Sequence, residues 1–140
     1  MSNKSHKGIY VSIKQESIFK IIQKKKNHEF RNYIPKKSFK YMYVYVTAPQ
    51  SQLKYIIEIG NIVKYPEQLE IDGDGNLDFN QGKKSKYAYP IVKVYELINP
   101  ISLKKLKKFD FVPPQAFSYA ETYRKLTEYL LTAEKVVIAN

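Results

Sequence analysis

The segment from Phe39 to Thr47 alternates so regularly that it predicts a β-strand with two different apolar faces. One face carries Met42, Val44 and Val46, and the other carries Tyr41, Tyr43, Tyr45 and Thr47. Successive side chains of a strand point to opposite sides, so both faces need a cover. We expect most of these tyrosines to pack in the core beneath a C-terminal helix. The alternative is a platform on which nucleic-acid bases stack.

The remaining apolar periodicity predicts an α+β chain. Helical spacing runs through residues 15–25 and resumes after the capping-box pair Ser118 and Glu121, while Ser102 could cap a short third helix. Strand patterns lie at residues 9–13, 29–33, 53–65 and 91–97. We therefore predict a small mixed β-barrel flanked by two or three helices. The length suits one domain, residues 8–140, after a basic tail, residues 1–7, which we expect to be disordered.

The distribution of charge favours a polyanionic partner. The net charge is +11, and residues 1–50 hold 11 basic residues against 2 acidic ones. Lysine and arginine neutralise phosphates and release counterions, so this asymmetry favours RNA or another nucleic acid. The alternative is a solvated surface that only maintains solubility.

Several classes of protein and site are disfavoured by composition. The absence of cysteine excludes disulfides and thiol chemistry, and no apolar run approaches the ~18 residues of a membrane span. With no secretory signal expected, we predict a cytoplasmic protein without a membrane partner. Two histidines are too few for a convincing metal site, and we expect no cofactor. The oxygen-rich segment 72–76 resembles the start of a calcium loop, but Leu77 replaces the glycine that this loop needs, so we predict a turn.

The strongest candidate for a functional site is formed by Lys26, Glu29 and Arg31. In a strand, residues two apart share a face, so Glu29 and Arg31 project together, and Lys26 at the preceding corner can reach toward them. Two cations and a carboxylate in a concavity could bind a phosphate or a nucleobase edge, or transfer protons. The alternative is a surface ion pair, which contributes little stability.

The order of these elements resembles the ASCH family of the PUA-like superfamily. The strand at residues 10–14 leads into a helix, then into Lys-x-x-Glu-x-Arg, then into the strand that ends at residues 47–49. The family signature begins with a glycine two residues before the lysine, where this chain has Lys24. The resemblance implies a PUA-like barrel that binds RNA or a modified nucleotide. Arg31 would hold a phosphate or a base edge, Lys26 would hold a second anionic group, and Glu29 would accept from an exocyclic amine. The tyrosines nearest the signature, Tyr10 and Tyr33, would stack on bases.

The same resemblance leaves an enzymatic alternative. Some ASCH-type proteins are amidohydrolases that deacylate 4-acetylcytidine, and a related member is assigned ribonuclease activity. In such an enzyme Lys26 would be the nucleophile or general base and Glu29 a second catalytic group. The amidohydrolase signature has threonine at the position of Glu29 and a separate downstream glutamate. Glu67 and Glu70 lie in a plausible region for that acid.

Overall fold

The computed structural model describes residues 7–140, so all of the predicted tail except Lys7 lies outside the described residues. Eight strands and four α-helices follow one another in the order β1 (Gly8–Ile13), α1 (Gln15–Ile22), β2 (His28–Arg31), β3 (Tyr41–Val46), β4 (Gln52–Ile59), β5 (Val63–Lys64), α2 (Asn76–Asn80), β6 (Tyr87–Ser102), α3 (Leu103–Leu106), β7 (Ser118–Tyr119), α4 (Arg124–Thr132) and β8 (Lys135–Ala139). Two short 3₁₀ helices precede β7 and α4, at Lys107–Phe109 and Ala120–Tyr123.

The strands form one curled, mixed sheet. Its order is β2-β6-β4-β3-β1-β7, and β5 and β8 both add to β6. The β1–β3 pair is parallel and the other pairs are antiparallel. The 16-residue β6 pairs with four strands, and through it β2 and β5 join the sheet. This confirms the predicted α+β barrel, with four α-helices in the described chain instead of two or three.

The alternation of β3 separates two cores, as predicted. Met42, Val44 and Val46 lie in the first core, inside the half-barrel, which α1 helps to close. Tyr43 and Tyr45 lie in the second core, on the outer face of the sheet beneath α4. These two tyrosines are therefore packed and do not form an open stacking platform.

The start of the last helix is the main error in the predicted elements. Ser118 does not cap a helix, because Ser118 and Tyr119 pair with β1. The α-helix begins at Arg124, after a 3₁₀ turn. The cap predicted for α3 is confirmed, since the Ser102 side chain accepts from the Lys105 amide at 3.3 Å. No helix within residues 7–140 has the length and apolar character needed to cross a bilayer.

Candidate functional site

A tight corner after α1 brings Lys26 toward β2. Lys24 adopts the left-handed conformation, with φ of 63°. The amides of Lys25 and Lys26 both donate to the carbonyl of Lys20, at 2.9 and 3.1 Å. The residue in the left-handed conformation stands at the signature position where glycine is usual. Glycine adopts this conformation without the steric cost that a side chain brings, so lysine makes the same turn under strain.

We expect Lys24→Gly to raise the free energy of unfolding by about 1 kcal/mol, because relief of the left-handed strain outweighs the greater backbone entropy of glycine. Urea denaturation measures the change. Lys25→Gly is the matched control, since it removes the same charge at a neighbouring position that is not in the left-handed region. The control should lose stability, and equal changes in both variants would show that Lys24 is not strained.

Lys26, Glu29 and Arg31 converge as the sequence predicted, and they bind one another. Lys26 Nζ lies 2.8 Å from Glu29 Oε1, and Arg31 Nη2 donates to Glu29 Oε2 at 2.8 Å. The contact with Oε1 is an ion pair without hydrogen-bond alignment. The exposed fractions of the three side chains are only 15%, 9% and 14%. The cluster is therefore a nearly buried ionic triad and not a surface ion pair.

The surroundings of Arg31 leave one of its donors unused. Nη2 also donates to the carbonyl of Ser12 on β1, at 3.3 Å. Nε is buried and has no hydrogen-bond partner in the described chain. The segment after α3 packs close by, because Ser12 Oγ donates to the carbonyl of Pro114 and Tyr33 Oη donates to that of Ala116, both at 2.8 Å. Arg31 thus lies between β1, β2 and this segment.

A cleft of about 250 Å³ opens beside the end of α1, and Lys26 lines it, whereas Glu29 and Arg31 do not. Its polar lining consists of Lys24, Lys26, Asn27, Asp72 and Asn140, and the other lining residues are apolar. Asp72 was missed as a site residue, because its sequence signals only a turn. That turn folds onto the corner: Asn27 Nδ2 donates to Asp72 Oδ1 at 3.2 Å, and the Asp74 amide donates to the Lys25 carbonyl at 2.8 Å.

The base-stacking role expected of Tyr10 is wrong. The Tyr10 side chain is fully buried in the second core, and its Oη lies 2.6 Å from Thr127 Oγ1. Burial also raises the pKa of Tyr10 well above its usual value. The strand pattern places Tyr10 on the face opposite Ile9 and Val11, and that face is covered by α4. No base can reach the ring.

Tyr33 lies closer to the triad and is half-buried. One face of its ring stacks on Phe117, with 5.2 Å between centroids, so at most the other face is available to a ligand. Burial raises the pKa of Tyr33, and the charge of Arg31 opposes this rise. Tyr33 stays a candidate ligand contact on these grounds.

The acidic and imidazole groups elsewhere do not add a catalytic set. Glu67 and Glu70 are exposed, and Glu67 Oε1 accepts from the Lys64 amide. His28 Nδ1 lies 2.7 Å from Asn27 Oδ1, and burial lowers the pKa of His28 while the charge of Asp72 opposes this. Within residues 7–140 we find no cluster of three or more side chains suited to hold a metal ion.

Comparison of the fold with solved structures finds ASCH proteins from Zymomonas mobilis. The crystal structure of ASCH from that organism is 20% identical, with a TM-score of 0.66, and the match covers 92% of this chain and 97% of that one. A serine-to-alanine variant of the same protein gives 24% identity, a TM-score of 0.64, and 94% and 99% coverage. A tyrosine-to-phenylalanine variant is 22% identical, with a TM-score of 0.64, and the match covers 91% of this chain and 99% of that one. No family model and no curated protein matches the sequence.

Proposed function

We propose that this chain, which has the ASCH fold, binds single-stranded RNA or a nucleotide in the cleft beside α1. Fold alone does not define function, so the proposal depends on the site. The observation that carries it is the position of Lys26, the member of the triad that lines this cleft, beside Lys24. Arg31 does not line the cleft, but it shares Glu29 with Lys26, and its buried Nε–H has no acceptor in the described chain. A buried donor without an acceptor costs about 1–3 kcal/mol, and a phosphate or carbonyl oxygen that displaced the groups covering this donor would recover that energy.

In this proposal Glu29 positions the two cations. Each of its oxygens is already engaged, by Lys26 on one side and Arg31 on the other. The carboxylate therefore holds both cations in place before a ligand arrives, which lowers the entropy lost on binding. Lys26 also lines the cleft, as Lys24 does, so the ammonium groups of both lysines are placed to meet a phosphate there.

The basic surface around the corner supports a polyanionic ligand. The side chains of Lys20, Lys24 and Lys25 are exposed, and the first of them lies in the last turn of α1. No carboxylate pairs with any of the three in the described ion pairs. Such cations can follow a phosphate backbone beyond the cleft without specifying its sequence.

The amidohydrolase alternative is less well supported. A lysine nucleophile must present a free amine, whereas Lys26 is held in an ion pair 2.8 Å from Glu29. Glu29, which stands where the amidohydrolase signature has threonine, is therefore the residue that forms the ion pair with Lys26. No observation on the site favours a ribonuclease over a binding protein, so strand cleavage is an outcome of the test.

Binding of a labelled single-stranded RNA, followed by fluorescence anisotropy across a salt series, tests the proposal. A handful of phosphate contacts predicts a log–log salt slope of about −3. We expect Lys26→Gln to weaken binding and to reduce the slope by about 0.7, the contribution of one contact with a single strand. Lys54→Gln is the matched control, because it removes the same charge and also breaks one ion pair, that with Glu96 at 3.7 Å.

The control should bind as the wild-type protein does. RNA is wrong as the ligand if it stays free, and the cleft is wrong as its site if Lys26→Gln and Lys54→Gln have equal effects while circular dichroism shows both variants folded. The RNA is examined on a gel after each titration. If the wild-type protein shortens the RNA and Lys26→Gln does not, the protein is a ribonuclease and not only a binding protein.

A further inference from the structure

A second cavity lies on the opposite face of the sheet from the ionic triad. It measures about 340 Å³, within the range of small-molecule sites. Tyr41, Tyr43 and Tyr95 line it from the sheet, Leu131 from α4, and Lys135 from β8. The tyrosine face of β3 is thus covered by α4 only in part.

Tyr43, which lines this tyrosine cavity, carries a hydroxyl group that no residue binds in the described chain. The Tyr43 side chain is 1% exposed, and its Oη is buried without a partner in residues 7–140. Burial raises the pKa of Tyr43 to about 12, so the hydroxyl is neutral and keeps its proton. A buried phenol that lacks an acceptor is uncommon in proteins, and a ligand that displaced the groups covering this hydroxyl could supply the acceptor.

The edge of the cavity combines aromatic rings with ammonium groups. Tyr41 and Tyr95 are half-buried and offer ring surface. Lys93 Nζ lies 5.9 Å from the centre of the Tyr95 ring. Lys135 Nζ donates to the carbonyl of Ala133 at 2.8 Å and has no carboxylate partner in the described ion pairs. Flat rings, one neutral donor and an unneutralised cation together suit a planar aromatic group that bears an acceptor and a negative charge.

We propose that the tyrosine cavity binds a nucleobase, with the attached phosphate held by Lys135, as a nucleotide subsite separate from the cleft. This inference rests on the proposed function, since it assumes that the ligand of the chain is RNA or a nucleotide. The base stacks on or meets the edges of Tyr41 and Tyr95, and one of its carbonyl or ring-nitrogen acceptors accepts a hydrogen bond from the Tyr43 hydroxyl. The source is either a free mononucleotide or one nucleotide of a strand.

Two variants and a matched control test the subsite. Leu131→Trp narrows the cavity from an exposed helix position, and Tyr43→Phe removes only the hydroxyl. Ile98→Trp is the control, because Ile98 is similarly exposed but does not line the cavity. The probes are the labelled single-stranded RNA, followed by anisotropy, and the four ribonucleoside 5′-monophosphates, followed by NMR of the tyrosine rings of the full chain.

We expect monophosphates to shift the ring signals of Tyr41, Tyr43 and Tyr95, with Leu131→Trp abolishing the shifts and Ile98→Trp leaving them intact. If a strand supplies the base, Leu131→Trp should weaken RNA binding about tenfold and Tyr43→Phe about threefold. If only a free mononucleotide enters the cavity, Leu131→Trp and Tyr43→Phe should both bind RNA with unchanged affinity. Leu131→Trp should still abolish the ring shifts that the monophosphates cause.

The two proposals fail in different ways. RNA binding that is weakened by Lys26→Gln but not by Leu131→Trp, with no ring shifts from any monophosphate, would overturn the subsite and keep the cleft. Ring shifts from a monophosphate in a protein that binds no RNA would support the subsite and remove RNA as the ligand of the cleft. Loss of ring shifts in Ile98→Trp as well as in Leu131→Trp would show that the cavity is not the site of binding.

Discussion

Glu29→Gln is expected to lower the free energy of unfolding by about 3 kcal/mol, the loss typical of removing one partner from a buried ion pair. Glutamine keeps the shape of the side chain but not its charge. Lys26 and Arg31, whose side chains are 15% and 14% exposed, would then face each other without a counter-ion. The midpoint of thermal unfolding should fall by about 10 °C in differential scanning calorimetry.

Glu96→Gln provides the comparison, because it breaks an exposed ion pair in the same sheet. Glu96 lies 3.7 Å from Lys54, and the two side chains are 36% and 25% exposed. Exposed pairs contribute at most about 1 kcal/mol, so this variant should lose far less stability. Adding Lys26→Gln to Glu29→Gln should restore part of the loss, since one stranded cation disappears. Equal losses in Glu29→Gln and Glu96→Gln would mean that the triad is solvated and does not hold its cations in fixed positions.

The strands were predictable where alternate residues differ in type and pack into two different cores on the two faces of the sheet. In β3 the Met and Val residues and the tyrosines occupy opposite faces, and each set found its own core. Glycine inside a strand pattern marks a bulge or bend, and the pattern at residues 53–65 is broken at Gly60: β4 ends at Ile59, and the Gly60 amide donates to the Pro90 carbonyl. Local chemistry was sufficient in both cases.

Long-range pairing was not predictable from local signals. Ser118 and Glu121 have the spacing of a capping box, yet Ser118 pairs with β1, more than 100 residues away. The short strand β8 carries Val136 and Val137 with both side chains about half exposed, so it lacks the alternation that marks a half-buried strand. It exists because β6 offers a free edge at Val94–Leu97.

In the candidate site, too, some features follow from the local sequence and others depend on long-range packing. Glu29 and Arg31 converge because the period of a strand requires it, and that much follows from sequence. The burial of Tyr10 depends on α4, which packs Thr127 against it, so proximity to the signature in sequence was misleading. Asp72 reaches the cleft only because its turn binds Asn27 and Lys25 across 45 residues or more.

Arg31→Lys should weaken RNA binding by about tenfold or more while leaving the protein folded. Lysine keeps the charge and can still pair with Glu29, but it loses the planar fork and the Nε donor that the proposal assigns to the ligand. A charge-assisted hydrogen bond contributes about 1.5–3 kcal/mol, which corresponds to a 10- to 100-fold change in affinity. Arg31→Ala is a poorer test, because it also leaves Glu29 with one partner fewer.

The measurement is anisotropy of the same labelled RNA, with urea denaturation of each variant to separate folding from binding. A structural role and a binding role for Arg31 make opposite predictions here. If Arg31 only neutralises Glu29, Arg31→Lys should bind RNA like the wild-type protein, because the ion pair survives. If Arg31 donates to the ligand, affinity should fall while the salt slope stays nearly constant, since the number of cations is unchanged. Loss of affinity together with a slope smaller by one contact would instead show that lysine no longer reaches the site.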